Sequence, residues 1–202
     1  MTETPEELFA RASASAGAED RLAPPPVAEW DTFPFEGDLR VRPLRPPLEA
    51  EAPRHGEGGV DCLRCESRDE DYLWTDERWR LASLPWPSGL PVVVLLEPRA
   101  HCDLGDLPAE LAAELGPLIV RIEQAILATG EIGRVHVCRW GDGSEHLHWW
   151  FMARPARLPQ LIGSFAAIWD DILPPLPPDL WRASLAAVAG ALASGGGTAH
   201  LR

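Results

Sequence analysis

Two residue types are missing from this chain, and each absence excludes a kind of chemistry. The 202 residues include no lysine, so that all 18 basic residues are arginine, and they include no asparagine. Without a lysine amine, neither a Schiff-base enzyme nor a phosphate-binding loop of the Walker type is possible. The formal net charge of −13 also argues against nucleic acid or an anionic membrane as the main partner, because both repel a negative surface.

Targeting signals are missing as well. The N-terminal sequence MTETPEE has no basic segment followed by an apolar run, so we expect no signal peptide. No stretch approaches the roughly 18 consecutive apolar residues that cross a bilayer. Four cysteines in a chain of this length do not make a disulfide framework. We therefore expect reduced thiols and a cytoplasmic location.

What the chain does have is enough apolar material for one sizeable core. Hydrophobic residues make up 46% of the sequence, and nine of them are tryptophan. Shifts in composition along the chain predict five regions. These are a disordered tail at 1–26, an irregular N-terminal arm at 27–60, a central domain at 61–156, a C-terminal helical extension at 157–194 and a tail at 195–202.

Periodicity within the central domain predicts both strands and a long helix. Helical spacing of apolar residues predicts a helix over 107–129, with a kink or break at Pro117. A Gly-rich link, GDGS, joins two β-prone runs into a hairpin. Branched and aromatic apolar runs predict strands at 79–84, 91–97, 134–140 and 145–153.

The second strand of that hairpin carries the most unusual residues. Side chains two apart on a strand share one face, so His146, His148 and Trp150 point together. Leu147 and Trp149 point to the other face, toward the core. Two histidines in register beside a Gly-rich turn favour a chemical site. The alternative for Trp150 is simple packing against the sheet.

A second signal is the sequence DCLRC, which places Cys62 and Cys65 three positions apart. This spacing suits either a metal site or a redox pair, but a redox pair expects a helix directly behind the motif. Acidic, turn-like residues follow instead. Zinc needs about two more ligands to complete a tetrahedron. The candidates are His101, Cys102, His136 and His146.

Taken in order, these motifs resemble the histidine-triad (HIT-like) superfamily. The chain has CLRC at 62–65, VVVLLEPRAH at 92–101, DLGDL at 103–107 with its helix, and GDGSEHLH at 141–148. Arg154 and Pro155 close the pattern. The resemblance covers roughly residues 60–156 and is closest to the zinc-binding branch, which includes galactose-phosphate uridylyltransferases. It implies an α+β fold, in which a long helix packs on an antiparallel sheet of about five strands and C-terminal helices follow.

The same resemblance implies roles for individual residues. Cys62, Cys65, His101 and His146 match the ligands of a structural zinc. His148 matches the nucleophile that attacks a nucleoside phosphate and forms a covalent nucleotidyl-histidine, so we expect a nucleotide hydrolase or nucleotidyltransferase. Substrate contacts would come from the turn and the strand, through Gly143, Ser144, Trp150 and Arg154. Family members often form homodimers.

Three departures keep a non-catalytic alternative open. Trp150 stands at the third triad position, where the family has His or Gln, and indole offers one donor and no acceptor. Ser144 lies two residues before His146, whereas the family's serine lies three before. The chain also lacks the asparagine that members use near the ribose or phosphate. A zinc-stapled module that binds a nucleotide or a partner without turnover is therefore the second hypothesis, and a metal-free redox protein is the third.

Overall fold

The computed structural model describes residues 2–200, and the chain divides into two units, Met1–Pro53 and Arg54–Arg202. In the first unit, helix α1 spans Pro5–Ser15. The Thr4 hydroxyl accepts from the Glu7 N–H, and the Glu7 carboxylate accepts from the Thr4 N–H. This capping box satisfies two backbone donors at the start of the helix. Helix α1 lies within the predicted tail at 1–26.

The second unit is built on one mixed-length antiparallel sheet of six strands in the order β4-β5-β3-β2-β1-β6. The strands are β1 (Trp74–Thr75), β2 (Trp79–Ser83), β3 (Val93–Pro98), β4 (Ile132–Cys138), β5 (Trp149–Pro155) and β6 (Thr198–Ala199). The predicted α+β class with an antiparallel sheet is confirmed. The strand beyond the expected five is β6, which pairs with β1 at the edge of the sheet.

Four helices accompany the sheet. They are α2 (Leu63–Glu66), α3 (Ala109–Leu127), α4 (Phe165–Ile172) and α5 (Pro178–Ala193). A kink or break was predicted at Pro117, and the break is wrong because α3 continues through this residue. Pro117 is exposed to solvent, where a carbonyl left unpaired by its missing N–H can be hydrated.

The main core lies between the sheet and the pair α3 and α5. Phe151 and Ala153 of β5 point into it, together with Leu96 of β3 and Ile122 of α3. Trp149 packs against this core, as the alternation in the sequence predicts. The C-terminal helix α5 is therefore part of the main core.

The opposite face of the sheet, which we call the second face, carries two smaller apolar clusters. Met152 and Val93 contact Ala166 of α4 in one cluster. Leu95 and Tyr72 belong to the other cluster. Trp150 packs against both clusters, because it occupies the centre of the sheet, opposite Leu95 of β3 and Cys138 of β4.

The two histidines lie just ahead of β5. The predicted strand began at 145, whereas β5 begins at Trp149. The Leu147 N–H donates to the Cys102 carbonyl at 2.8 Å, so the residues before Trp149 are tied to a loop and not to a neighbouring strand. None of the helices in residues 2–200 has the length and apolar character that a membrane span requires.

Candidate metal centre and candidate nucleophile

Four side chains from three distant segments converge on one point. The Sγ atoms of Cys62 and Cys65 and one ring nitrogen each of His101 and His146 lie within 4.8 Å of one another. Sulfur–nitrogen distances are 3.5 Å for Cys62 to His146, 3.5 Å for Cys65 to His101, and 3.6 Å for Cys65 to His146. At ordinary zinc bond lengths, a tetrahedral site separates a sulfur from a nitrogen by about 3.6 Å. The cluster thus has the dimensions of a tetrahedral zinc site.

The local backbone explains how the two cysteines meet. Cys62 directly precedes the one-turn helix α2, and Cys65 lies within it. The chain approaches this turn closely: a Cβ atom added at Gly56 would lie 3.1 Å from the Cys62 sulfur. Gly56 also has a φ of +73°, a backbone angle that residues with a side chain rarely adopt. Glycine at 56 therefore allows the preceding segment to pass against the cysteine.

The outer ring nitrogens of both histidines are held by protein acceptors. His146 Nε2–H donates to the Pro98 carbonyl at 2.9 Å, and a carbonyl can only accept, so Nδ1 keeps its lone pair for a metal. His101 Nε2 lies 3.3 Å from a Glu145 carboxylate oxygen, with its Nδ1 facing Cys65. Metal-binding histidines usually carry such outer partners. The donor set, spacing and outer partners fit a structural zinc ion, and they complete the tetrahedron with His101 and His146.

The remaining candidates for that role lie elsewhere. Cys102 is buried, and its backbone carbonyl accepts from Leu147. His136 lies on β4, opposite Met152 and far along the sheet from the cysteines.

Burial lowers the pKa of His146, which keeps the imidazole neutral as a metal ligand requires.

The redox hypothesis is weakened by the state of the cysteine thiols. Partial burial of its sulfur and the adjacent Cys62 thiol raise the pKa of Cys65 to about 11, although the residue as a whole stays exposed. A reactive redox cysteine needs the opposite shift, because the thiolate is the nucleophile. Two histidine nitrogens within 3.6 Å of Cys65 suit metal binding far better.

Glu145 connects the cluster to the segment that precedes the cysteines. Its carboxylate accepts from the Gly58 N–H at 2.5 Å, contacts His101 and lies 3.5 Å from Arg54. These partners, led by the Gly58 N–H, lower the pKa of Glu145, so the side chain is a carboxylate. We call residues 54–60 the strap. The strap is fastened to the metal cluster at Glu145.

The strap is also fastened to the Gly-rich turn. The His55 N–H donates to the Gly143 carbonyl at 3.1 Å, and the Glu145 N–H donates to the His55 carbonyl at 3.0 Å. Arg54 donates to Asp103 at 2.6 Å and to the Gly141 carbonyl at 3.0 Å. The sequence placed residues up to 60 in an irregular arm, whereas the structure places the strap in the second unit.

A buried carboxyl supports the cysteine turn from below. Glu97 of β3 is 1% exposed and accepts from the Tyr72 hydroxyl at 3.3 Å. Arg64, between the two cysteines, brings Nε to 3.1 Å from Glu97 Oε1, without the alignment of a hydrogen bond. Burial outweighs this ion pair and raises the pKa of Glu97 to about 7.

His148 has simpler surroundings. Its Nδ1 lies 2.9 Å from the His146 carbonyl, and since a carbonyl can only accept, Nδ1 must carry the proton. The neutral ring then keeps its lone pair on Nε2. The residue is half-buried, and it makes no other side-chain hydrogen bond within residues 2–200. This tautomer is the one that a nucleophilic histidine needs.

The aromatic residues beside His148 lie on the second face. The rings of His148 and Trp150 are 6.3 Å apart between centroids, and those of Trp140 and Trp150 are 5.6 Å apart. The Trp150 Nε1 atom is buried and has no hydrogen-bond partner among the described residues. Trp140 is 44% exposed. Residue 150 thus offers its neighbours a ring but no accessible polar atom.

The predicted substrate contacts divide into two groups. Gly143 and Ser144 lie in the turn that leads to the histidines, and their N–H groups have no acceptor among the described residues. The Ser144 hydroxyl itself donates to the His55 carbonyl. Arg154 lies near the far end of β5, where its guanidinium donates to the carbonyls of Pro155 and Leu158. Six residues of extended chain, about 20 Å, separate Arg154 from His148.

Sequence reasoning missed the residues that hold the cluster from outside. Arg54, Glu145 and Glu97 carry no motif of their own. Only the Glu–His adjacency at 145 and 146 hints that one carboxylate stands beside a ligand. Their roles depend on how the strap and β3 fold, which spacing in the chain does not encode.

No family model and no curated protein matches the chain. It is similar to a solved structure of a zinc-bound histidine triad family protein from Mycobacterium smegmatis, at 20% identity and a TM-score of 0.47, over 67% of this chain and 98% of that one. A hypothetical histidine triad nucleotide-binding protein from Sulfolobus tokodaii matches at 15% identity and a TM-score of 0.47, over 66% and 93%.

A uridylyltransferase structure is also similar. It matches at 17% identity and a TM-score of 0.44, over 69% of this chain and 47% of that one. These likenesses concern the fold alone.

Proposed function

We propose that this protein is a nucleotidyl hydrolase or nucleotidyltransferase that uses His148 as its nucleophile. The observation that carries the proposal is the bond from His148 Nδ1–H to the His146 carbonyl, which leaves the Nε2 lone pair free in the neutral ring. The ordered histidine-triad motifs support the same role. A nucleoside phosphate is the substrate class that this chemistry serves.

The chain's own residues account for the first steps. Nε2 of His148 attacks the α-phosphorus, and the bond to the leaving group breaks as the phosphorus–nitrogen bond forms. Water or an acceptor hydroxyl then attacks phosphorus and returns the electron pair to Nε2. The unpaired N–H groups of Gly143 and Ser144 would bind phosphate oxygens, as successive backbone donors do in anion-binding turns.

The metal has a structural role in this proposal. Cys62, Cys65, His101 and His146 would hold zinc, and the ion would fix the carbonyl of His146 that orients the His148 ring. No step of the reaction passes through the metal. Its chemistry is to join three segments of the chain at one point.

The test is a substrate screen with variant controls. The wild type, His148→Ala and His136→Ala are incubated with nucleoside phosphoramidates, dinucleoside polyphosphates and nucleotide sugars. We expect turnover of at least one class by the wild type and by His136→Ala, and none by His148→Ala. Intact-protein mass spectrometry after acid-free quenching should detect one added nucleotidyl group. Equal rates in wild type and His148→Ala would refute the proposal.

One observation favours a second function, a zinc-stapled nucleotide-binding module without turnover. The buried indole nitrogen of Trp150 leaves only an apolar ring beside His148. In that case, calorimetry would show binding of a nucleotide by wild type and His148→Ala alike, with no product in either sample.

We also propose that the protein forms a homodimer. β4 lies at one edge of the sheet and pairs only with β5 among the described strands. Val120 and Leu127 on α3 are 50% and 41% exposed. An edge strand and apolar side chains of this kind suit self-association. Sedimentation of the purified protein would give the mass of two chains, and a single-chain mass at all concentrations would contradict the proposal.

A further inference from the structure

The Trp150 ring lies beside the His148 ring and packs on the second face of the sheet. In a near-attack geometry, phosphorus lies about 3 to 3.5 Å from the attacking nitrogen, with the leaving atom in line beyond it. The Trp150 and His148 ring centroids are 6.3 Å apart, a separation comparable with the span of the attacking nitrogen, phosphorus and leaving atom taken together. A leaving group on this side of His148 therefore contacts the indole.

The indole cannot give the leaving group a proton. Its N–H does not titrate in the useful range, and here the nitrogen is buried without a partner. The ring is also wedged into place, since it packs against both apolar clusters of the second face. It offers contact area and excludes water, but no acid.

The titratable groups nearest to residue 150 do not replace that acid. Cys138, opposite Trp150, has a thiol whose pKa is raised by burial, so it is a weak acid. His136 lies two residues before Cys138 on β4, on the same face but opposite Met152, so it is further from the histidine segment than Cys138 is, and burial lowers its pKa. The Tyr72 hydroxyl donates to Glu97 beneath the ring. Within residues 2–200, none of these groups is hydrogen-bonded to His148.

We propose that Trp150 is the residue that determines the leaving group, and that the protein cleaves only nucleotide donors whose leaving group departs as a stable anion. This inference rests on the proposed function of His148. Phosphate-type and acidic aryl oxide groups belong to this class, because their conjugate acids lose a proton near neutral pH. Alkylamines and alkyl alcohols do not, because each must be protonated as its bond to phosphorus breaks.

The atoms balance without an acid. The Nε2 lone pair forms the bond to phosphorus, and the electron pair of the breaking phosphorus–oxygen bond leaves with oxygen as an anion. The His148 ring then carries one positive charge, and its Nδ1–H still donates to the His146 carbonyl. In the second step, water attacks phosphorus, the pair of the phosphorus–nitrogen bond returns to Nε2, and the water releases one proton to solvent.

The experiment compares leaving groups on one nucleotide. The donors are the 4-nitrophenyl ester, the phenyl ester and the propylamide of each common nucleoside 5′-monophosphate. Single-turnover rates are measured for the wild type, Trp150→His, Trp150→Phe and His148→Ala, each checked for zinc content and circular dichroism. Phenylalanine keeps an apolar ring, whereas histidine supplies an acid of similar position.

We expect the wild type to cleave the 4-nitrophenyl ester at least 1,000-fold faster than the propylamide. Trp150→His should raise the propylamide rate by about 100-fold or more, the usual contribution of a general acid, and change the nitrophenyl rate little. Trp150→Phe should keep the steep dependence of the wild type. In both Trp150 variants, we expect His148 to remain the nucleophile that displaces the leaving group.

Several outcomes would overturn the inference. A wild type that cleaves propylamide and nitrophenyl donors within 10-fold of each other refutes it while leaving His148 as nucleophile. A folded Trp150→His protein that cleaves the nitrophenyl ester but gains nothing on the amide refutes it too. If Trp150→His fails to fold, the leaving-group dependence of the wild type alone decides. Absence of His148-dependent release from every donor refutes the proposed function, and the inference with it.

Discussion

His146 and His148 are two residues apart, yet their surroundings differ in almost every respect. His146 is 1% exposed, lies 3.5 and 3.6 Å from two cysteine sulfurs, and donates to the Pro98 carbonyl. His148 is half-buried and has one hydrogen bond, to the backbone of His146 itself. The first residue is fixed by several independent partners, and the second takes its orientation from the first.

The difference shows how one segment serves structure and chemistry together. A nucleophile needs a free lone pair and room for a substrate, which many partners would remove. A structural ligand needs its partners, because a buried polar group without them costs free energy. Since the carbonyl of His146 orients the ring of His148, a metal ion that fixes His146 also helps to fix the orientation of His148.

The largest expected effect is the difference between replacing His146 and replacing His148 by alanine. His146→Ala removes a ligand, and we expect loss of the zinc together with much of a binding free energy on the order of 10 kcal/mol, which is also folding free energy. His148→Ala removes one hydrogen bond and should cost about 1 kcal/mol with zinc retained. Native mass spectrometry and thermal denaturation measure both. Equal zinc content in the two variants would contradict the assignment of His146, and not His148, as a metal ligand.

A smaller effect is expected at the carboxyl beneath the cysteine turn. The pKa of Glu97 rises from 4.5 to about 7 in the fold. The folded state therefore holds a proton that the unfolded chain loses between these values, and stability falls as pH rises through this window, by about 3 kcal/mol in all. Zinc held by two thiolates adds no net charge to shift this balance. Glu97→Gln should be more stable than wild type at pH 8, with little difference at pH 4.

Urea denaturation at a series of pH values tests this expectation. Glu131→Gln is the matched control, because Glu131 is 81% exposed and pairs only with the exposed Arg157. The control should follow the wild type at every pH. If Glu97→Gln followed it too, the buried carboxyl would not be the origin of the pH dependence.

The smallest of these effects concerns the outer partner of His101. Glu145→Ala removes the carboxylate that orients the ring and receives the strap, and we expect zinc affinity to fall by about 10- to 100-fold. Competition with a chelator of known affinity measures the change, and Glu131→Ala serves as the control. An unchanged affinity would mean that the cysteines and Pro98 hold the site without help from the strap.

The cysteine pair was visible in the sequence because its spacing is local, whereas the choice of His101 and His146 as the other two ligands came from the resemblance to the histidine-triad superfamily. A Cys-x-x-Cys turn brings two sulfurs together, a histidine follows a buried strand, and alternation pairs His146 with His148. The strap could not be predicted, since the bonds of Arg54 and Glu145 depend on loops meeting across about 90 residues. The break at Pro117 was expected from the general effect of proline inside a helix, which is smaller here because residue 117 lies on the exposed side of α3.

The chemistry at residue 150 was only half predictable. Replacing a titratable side chain with tryptophan is visible in the sequence, and its neighbours in the sheet follow from strand alternation. That its nitrogen is buried without a partner depends on Leu95, Tyr72 and α4 packing around the ring, which only the folded chain shows.

The order of the metal ligands along the chain also determines when each becomes available during synthesis. Cys62 and Cys65 leave the ribosome first, and 81 positions separate Cys65 from His146. At about 5 to 20 residues per second, the two thiols wait roughly 4 to 16 s for the last ligand. Throughout that interval, any ion that the thiols bind remains exposed to solvent. The fourth ligand is available only after the segment with His146 has left the ribosome.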